Sequence, residues 1–334
     1  MRAALLLVLV AACGGSSNAA DGAAADAPAI DTPENTWTWV PIAGTFCGNG
    51  TEAGIGVNRT SASQDLLVYF EGGGACWDYD SCFTQNLAVN IDITYDAAKF
   101  ASDIGATPLE RGGPFANATF VFVPYCTGDL HAGQHVATYE DKMVHHVGAT
   151  NTAAFVAALQ ASFPGAQHVW VAGSSAGGYG ATLNLDRFTS AWPTADVPLL
   201  QDSSPFVPPL ANYDAWQTSW DLQYPPGCNG CATNFSSVIS TLVAANPSSR
   251  IGLLTYNNDA VVSAYFGYTS LVDATNTLVA NEYSGPTAHV FELAGTSHTM
   301  LGGLATIVAP SGTSLATWVT QWATADAAWA NLTP

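Results

Sequence analysis

The chain has 334 residues, 48% of them hydrophobic and 11% aromatic, enough to bury a sizeable core. Seven lysines and arginines face 26 acids, a net charge of −19. Nucleic acid is thereby all but excluded as a partner, because phosphate recognition needs a basic face.

The first twelve residues, MRAALLLVLVAA, carry one arginine and a short apolar run. That run is too short to span a bilayer and reads as an export signal. Cys13 follows Val10-Ala11-Ala12 and resembles the lipidated cysteine of bacterial lipoproteins; an ordinary secretory signal with an incidental cysteine is the alternative. Losing Arg2 with residues 1–12 would take the net charge from −19 to −20. Residues 13–35, rich in Ala, Gly, Ser, Asp and Pro, have too little apolar surface to fold and are expected to be a flexible tether. Residues 36–334 show no repeat and no second low-complexity break, so one domain is expected, and nothing in it is long and apolar enough to cross a membrane. Contact with a membrane would come only through a lipid on Cys13, placing an exported monomer at the cell surface.

Short continuous apolar runs occur at Leu66–Phe70, Thr119–Val123, His168–Val171, Val197–Leu200, Ile251–Tyr256 and Val290–Leu293. Helical spacing runs from Gly148 to Phe163, stopped by Pro164-Gly165, and a helix is expected from Ala176 to Phe188. Strands of this kind alternating with helices predict an α/β fold, a mostly parallel sheet with helices on both faces. In such sheets the chemistry gathers in loops at the carboxyl ends of the strands.

The loop Gly173-Ser174-Ser175-Ala176-Gly177 has the form of a strand–turn–helix nucleophile elbow. A sharp turn crowds the backbone two positions either side of the nucleophile. Ser175 has Gly173 and Gly177 there, whereas Ser174 has Ala172 and Ala176, so Ser175 is favoured. The bland alternative is a packing turn in which both serines cap the helix. The α/β-hydrolase order puts the base last, which selects His298, after the final strand. His289 lies at the wrong end of that strand. His131 and His135 are candidates for substrate contact, and His145-His146 reads as packing, since neighbouring residues diverge and no third metal ligand is evident. Asp259 follows the penultimate strand and is the preferred acid; Asp202 is expected to support its own loop. Glu71-Gly72-Gly73-Gly74-Ala75 can bring bare N–H groups to an oxyanion, each worth about 3 kcal/mol. A phosphate loop would need a lysine after its glycines, and none is there. No cofactor and no metal are expected.

Six cysteines follow Cys13: Cys47, Cys76, Cys82, Cys126, Cys228 and Cys231. In an exported chain an even count favours disulfides, and the sequence alone leaves their pairing open. Cys228-Asn-Gly-Cys231 also has the form of a redox or zinc half-site, without a second pair to complete it.

With these pieces assembled, the chain resembles the pectin acetylesterase family, which also contains the Notum carboxylesterases. The resembling segments are Phe46–Gly50, Tyr69–Cys76, Val123–Asp129, Gly173–Gly178 and Ser297-His298. The resemblance implies an α/β-hydrolase-like fold, a triad of Ser175, Asp259 and His298, and oxyanion donors at the backbone of Gly73, Gly74 and Ala176. It also implies the disulfides Cys47–Cys126 and Cys76–Cys82, which leaves Cys228 to pair with Cys231. Two departures touch the pocket: plant-type members carry tryptophan where this chain has Ala75, with Trp77 two later, and Phe-Arg-Gly where it has His146-Val147-Gly148. The expected function is removal of O-acetyl groups from a polysaccharide, with acetylated polysaccharide or a small ester as substrate. Deacylation of longer lipid chains and a non-catalytic binding module on a hydrolase scaffold are the alternatives.

Overall fold

A computed structural model describes residues 29–334 apart from Glu110. The expected leader, Cys13 and the tether as far as residue 28 lie outside the described residues. Packing begins earlier than residue 36, however. Ile30 is buried against the core and its N–H donates to Ser162 Oγ at 2.8 Å. An isoleucine in an otherwise small and polar stretch has apolar surface to bury, and it does so.

Ten strands occur among the described residues: β1 Thr38–Phe46, β2 Glu52–Asn58, β3 Leu66–Phe70, β4 Thr119–Val123, β5 His135–Tyr139, β6 Lys142–His146, β7 Val169–Ser174, β8 Leu199–Asp202, β9 Ile251–Tyr256 and β10 Ala288–Leu293. Eight form one sheet in the order β1-β2-β4-β3-β7-β8-β9-β10, and β5 pairs with β6 in a separate hairpin. From β4 to β10 every neighbour is parallel; β1 and β2 add an antiparallel edge. Every residue of β3, β4, β7 and β8 is buried, which is why β3 and β4 read as continuous apolar runs, while β8 also buries the polar Gln201 and Asp202. The edge pair and the hairpin gave no such run. Pro41 lies in β1, where an edge strand tolerates a missing N–H, and exposed and buried positions are mixed along it.

Helices cover both faces of the sheet. The expected helix from Gly148 is present as Gly148–Ser162 and packs on β1. The helix expected over 176–188 is instead two, Ala176–Leu183 and Leu185–Ala191. Asn184 separates them, its side chain donating to the carbonyls of Gly180 and His131. Helix Leu315–Ala323 lays the buried Trp318 and Trp322 near β9 and β10, with Trp318 edge-on to Phe291.

The order of crossovers locates the site. From β3 the chain goes to β4 on one side, then returns across β3 to β7 and continues outward through β8, β9 and β10. The loops after β3 and β7 therefore leave in opposite directions. A crevice opens between them at the carboxyl edge, the place where α/β sheets bind ligands.

Candidate active site

Ser175 is the residue on which β7 turns into helix Ala176–Leu183, with φ 56° and ψ −127°. Such a backbone costs a non-glycine residue about 1–3 kcal/mol and persists only where its surroundings enforce it. Here the Ser175 N–H donates to Asp202 O at 2.7 Å, and its carbonyl accepts from Gly178 N at 2.9 Å. A Cβ on Gly173 would strike the Gly177 carbonyl, and one on Gly177 would strike the carbonyl of Phe70. Both glycines are thus dictated by the turn.

Two parallel neighbours supply the other groups. β9 and β10 end together at Tyr256 and Leu293, and their following loops are laced by the Asn258 N–H to Gly295 O and the Ala260 N–H to Thr296 O. Asp259 is fully buried and caps helix Ala260–Phe266, its Oδ1 accepting from Val261 N at 2.9 Å and Val262 N at 3.1 Å. Its Oδ2 lies 2.7 Å from His298 Nδ1, and His298 Nε2 lies 2.8 Å from Ser175 Oγ. With Nδ1 donating to the carboxylate, Nε2 is left to accept the serine proton.

The loop after β3 runs beside the elbow. Gly72 leaves no room for a Cβ against the Ser174 carbonyl, and Gly73 and Gly74 adopt φ values of 153° and 78°. Gly73, Gly74 and Ser175 line an open cleft of about 500 Å³ together with His298. Among the described residues, the N–H groups of Gly73, Gly74 and Ala176 have no protein acceptor. Free N–H groups beside a nucleophile are what an oxyanion requires. Glu71 fixes the start of this loop: its N–H donates to Val123 O, its Oε2 accepts from Tyr125 N at 2.8 Å, and its carbonyl is 2.9 Å from His131 Nε2. Burial pushes the Glu71 carboxyl up to about 7.

On the far side of Ser175 lies a second, narrow cavity of about 30 Å³, walled by Ala75, Leu130, Ala176, Trp216, Tyr265 and Phe266. It has room for roughly one water-sized group. Trp216, backed by Trp77 at 6.0 Å between ring centroids, lines this space together with Ala75.

The remaining residues singled out in the sequence fall elsewhere. Ser174 Oγ donates to buried Asp202 at 2.7 Å, and the Asp202 carboxylate also accepts from Met300 N and Leu301 N. Asp202 therefore supports the loop that carries His298, where support of its own loop was expected. His131, expected as a substrate contact, is a correction. It is buried behind the glycine loop between Tyr125 and Phe70, and burial lowers its imidazole to about 4. His135 is exposed and bonds Ser219 O, and His289 packs on Trp329. His145 and His146 point to opposite faces of β6. His146 is buried between Thr127 O and the Tyr139 hydroxyl, with its imidazole lowered by burial to about 3. Its only metal-ligating neighbours among the described residues, Cys76 and Cys82, are joined to each other. The disulfides are Cys47–Cys126, Cys76–Cys82 and Cys228–Cys231.

Trp216, Val261, Tyr265 and Pro108 line the two cavities without having been picked out from the sequence. Val261 and Tyr265 follow Asp259 closely and lie on the helix it caps, which is a usable signal. Trp216, from helix Tyr213–Trp220, and Pro108, from a loop, arrive from distant parts of the chain and had none.

Against known proteins, residues 35–224 match the family model described as pectinacetylesterase. Similar curated proteins include the palmitoleoyl-protein carboxylesterase notum1' of Xenopus laevis, 29% identical over 189 residues, covering 52% of this chain and 36% of that protein. The human palmitoleoyl-protein carboxylesterase NOTUM is 28% identical over 170 residues, 48% of this chain and 34% of its own length. The Drosophila melanogaster NOTUM protein is 27% identical over 198 residues, 53% of this chain and 29% of its own. The chain thus spans about a third of the length of the curated relatives it matches. Asp259 and His298 lie beyond the residues the family model covers, whereas Ser175 and the glycine loop lie within them. The match takes in more than half the chain, including β3, β4, β7 and the elbow between them, and on that ground the chain belongs to the pectinacetylesterase family.

Proposed function

We propose that the protein is a serine carboxylic ester hydrolase that removes short acyl groups, foremost acetyl, from an O-acylated glycan. The observation that carries this reading is the hydrogen-bonded series Asp259–His298–Ser175, with Ser175 facing an apolar cavity of about 30 Å³. Ser175 Oγ attacks the ester carbonyl as His298 Nε2 takes its proton. The carbonyl oxygen, now negative, accepts hydrogen bonds from the free N–H groups of Gly73, Gly74 and Ala176. His298 then gives the proton to the departing alcohol oxygen, leaving an acyl-Ser175. Water attacks that ester with the same histidine as base, releasing the acid and restoring the hydroxyl.

The narrow cavity favours acetyl over the long acyl chains that the relatives' names describe. A methyl group fills a space of one water, and a long chain needs many times that volume. Export, with a lipid on Cys13 as anchor, belongs to the same reading: the three disulfides favour an oxidising compartment. Cys13→Ser is expected to release the protein from membranes or block its maturation.

The test is labelling with a fluorophosphonate together with an acyl series on one phenyl ester, from acetyl to palmitoyl. Labelling at Ser175 and a steep fall in kcat/KM with chain length are expected. An unlabelled protein would make it a binding module, and a preference for palmitoyl would make it a lipid deacylase.

A further inference from the structure

The cleft at Ser175 continues past the residues around the elbow. At Pro108 and Gly302 it meets a second trough of about 600 Å³, and those two residues line both spaces. One wall of the trough is made by described residues between Gly105 and Phe115, Pro108 and Leu109 among them, ahead of β4. The other is the turn Leu301–Ala305 together with one side of helix Leu315–Ala323. The turn follows His298 directly, and Asp202 pins it by accepting the Leu301 N–H at 3.1 Å. The trough is therefore in register with the catalytic groups, so a substrate lying in it would be placed relative to Ser175.

Its chemistry restricts the occupant. None of the six lysines and arginines that follow Arg2 is among the residues lining the cleft or the trough. Arg111, the cation within the wall segment, is turned to Asn58 O, Asn58 Oδ1, Ala118 O and Asn35 Oδ1. Lys99, Lys142 and Arg250 are engaged by Asp103, Asp92 and Asp196. The described walls are instead glycine and proline backbone, the Thr107 and Thr320 side chains, and apolar groups that include Phe115 and Leu304. The small cavity beside Ser175 shares Gly74, Ser175, Val261, Tyr265 and His298 with the cleft, and the larger space for the rest of an ester lies on the side of the trough.

We propose that this trough binds the sugar residues flanking the acetylated one in a neutral glycan. The inference rests on the esterase reading of the site and adds the substrate's backbone to it. A polyuronate would find no cation there, and the net charge of −19 would repel it.

The test narrows the trough without touching the triad. Thr320 and Ala305 are both exposed, so Thr320→Trp and Ala305→Trp fill the space from the surface. Acetylated xylo-oligosaccharide turnover should fall about tenfold in kcat/KM, with phenyl acetate within about twofold of the parent. Binding of deacetylated xylohexaose to Ser175→Ala protein, followed by calorimetry, should weaken when Thr320→Trp is added. Unchanged oligosaccharide turnover and binding would overturn the proposal. So would a loss confined to long-acyl esters, or faster low-salt turnover of acetylated polygalacturonate than of the neutral glycan. Xylohexaose binding that Thr320→Trp abolishes, in a protein without esterase activity, would support the trough and refute the catalytic reading instead.

Discussion

Ser174 Oγ donates to the buried Asp202 carboxylate over 2.7 Å, while the adjacent Ser175 hydroxyl lies 2.8 Å from His298 Nε2. Ser174 ends β7 and Ser175 is the turn residue with φ 56°, so the change of backbone direction sends one hydroxyl to the scaffold and the other to His298. Asp202 joins the two, because it also accepts from Met300 N and Leu301 N just beyond His298.

Replacing the two serines should therefore give opposite results. Ser175→Ala is expected to lower ester hydrolysis about 10⁴-fold or more with the melting temperature nearly unchanged. Ser174→Ala should keep most activity and lose about 1–3 kcal/mol of stability, having left a buried carboxylate short of a donor. Equal activity losses at matched stability would contradict the assignment.

The pH dependence of stability should carry a contribution from Glu71. Its folded-state pKa of about 7 lies above the usual 4.5, so the native state holds a proton that the unfolded chain has released. Between those values unfolding releases a proton, and stability falls as pH rises through the window. Asp129, pushed up to about 6 by burial, acts in the same direction. The buried His131 and His146, lowered to about 4 and about 3, act in the opposite one. Comparison with Glu71→Gln isolates the glutamate: thermal unfolding from pH 5 to 8 should show a shallower decline in the variant. Parallel curves would show that the carboxyl does not titrate there.

The three disulfides should differ in weight. Cys47–Cys126 joins residues 79 apart, and replacing both by serine is expected to cost about 4 kcal/mol in urea unfolding. Cys228–Cys231 spans three residues, and its removal should cost distinctly less. Equal losses would mean that native-state contacts, not loop length, set the effect.

Tyr265 should set the acyl limit. It lines both cavities, and its hydroxyl donates to Leu87 O, which closes the space beside Gly74. Tyr265→Ala is expected to raise the butyryl-to-acetyl ratio of kcat/KM about tenfold, with Ser175 still labelled by fluorophosphonate. An unchanged ratio would place the limit elsewhere, with Trp216 the next wall to remove.

Much of this site is legible along the chain, because its demands are local. An elbow needs glycines two positions from its serine, so Gly173 and Gly177 mark Ser175 without any tertiary knowledge. Strands buried on both faces must be apolar at every position, so β3, β4, β7 and β9 stand out as continuous runs. Pairings across distance are different. Pro41 and mixed exposure hide β1, and an edge strand has no need of a continuous apolar run. The role of His131 was not readable: its burial comes from Tyr125 and Phe70, and its hydrogen bond from a carbonyl 60 residues away. The acyl cavity is a property of volume, and volume depends on which distant side chains arrive. Trp216 and Ala75 line the same cavity from distant parts of the chain, and no local pattern records that meeting. The amino-acid sequence determined the glycine-flanked turn at Ser175 and the buried strands around it, because backbone strain and strand burial act on neighbours. The tertiary structure decided the size and shape of the spaces beside Ser175, because packing sets shape only after the chain has closed on itself.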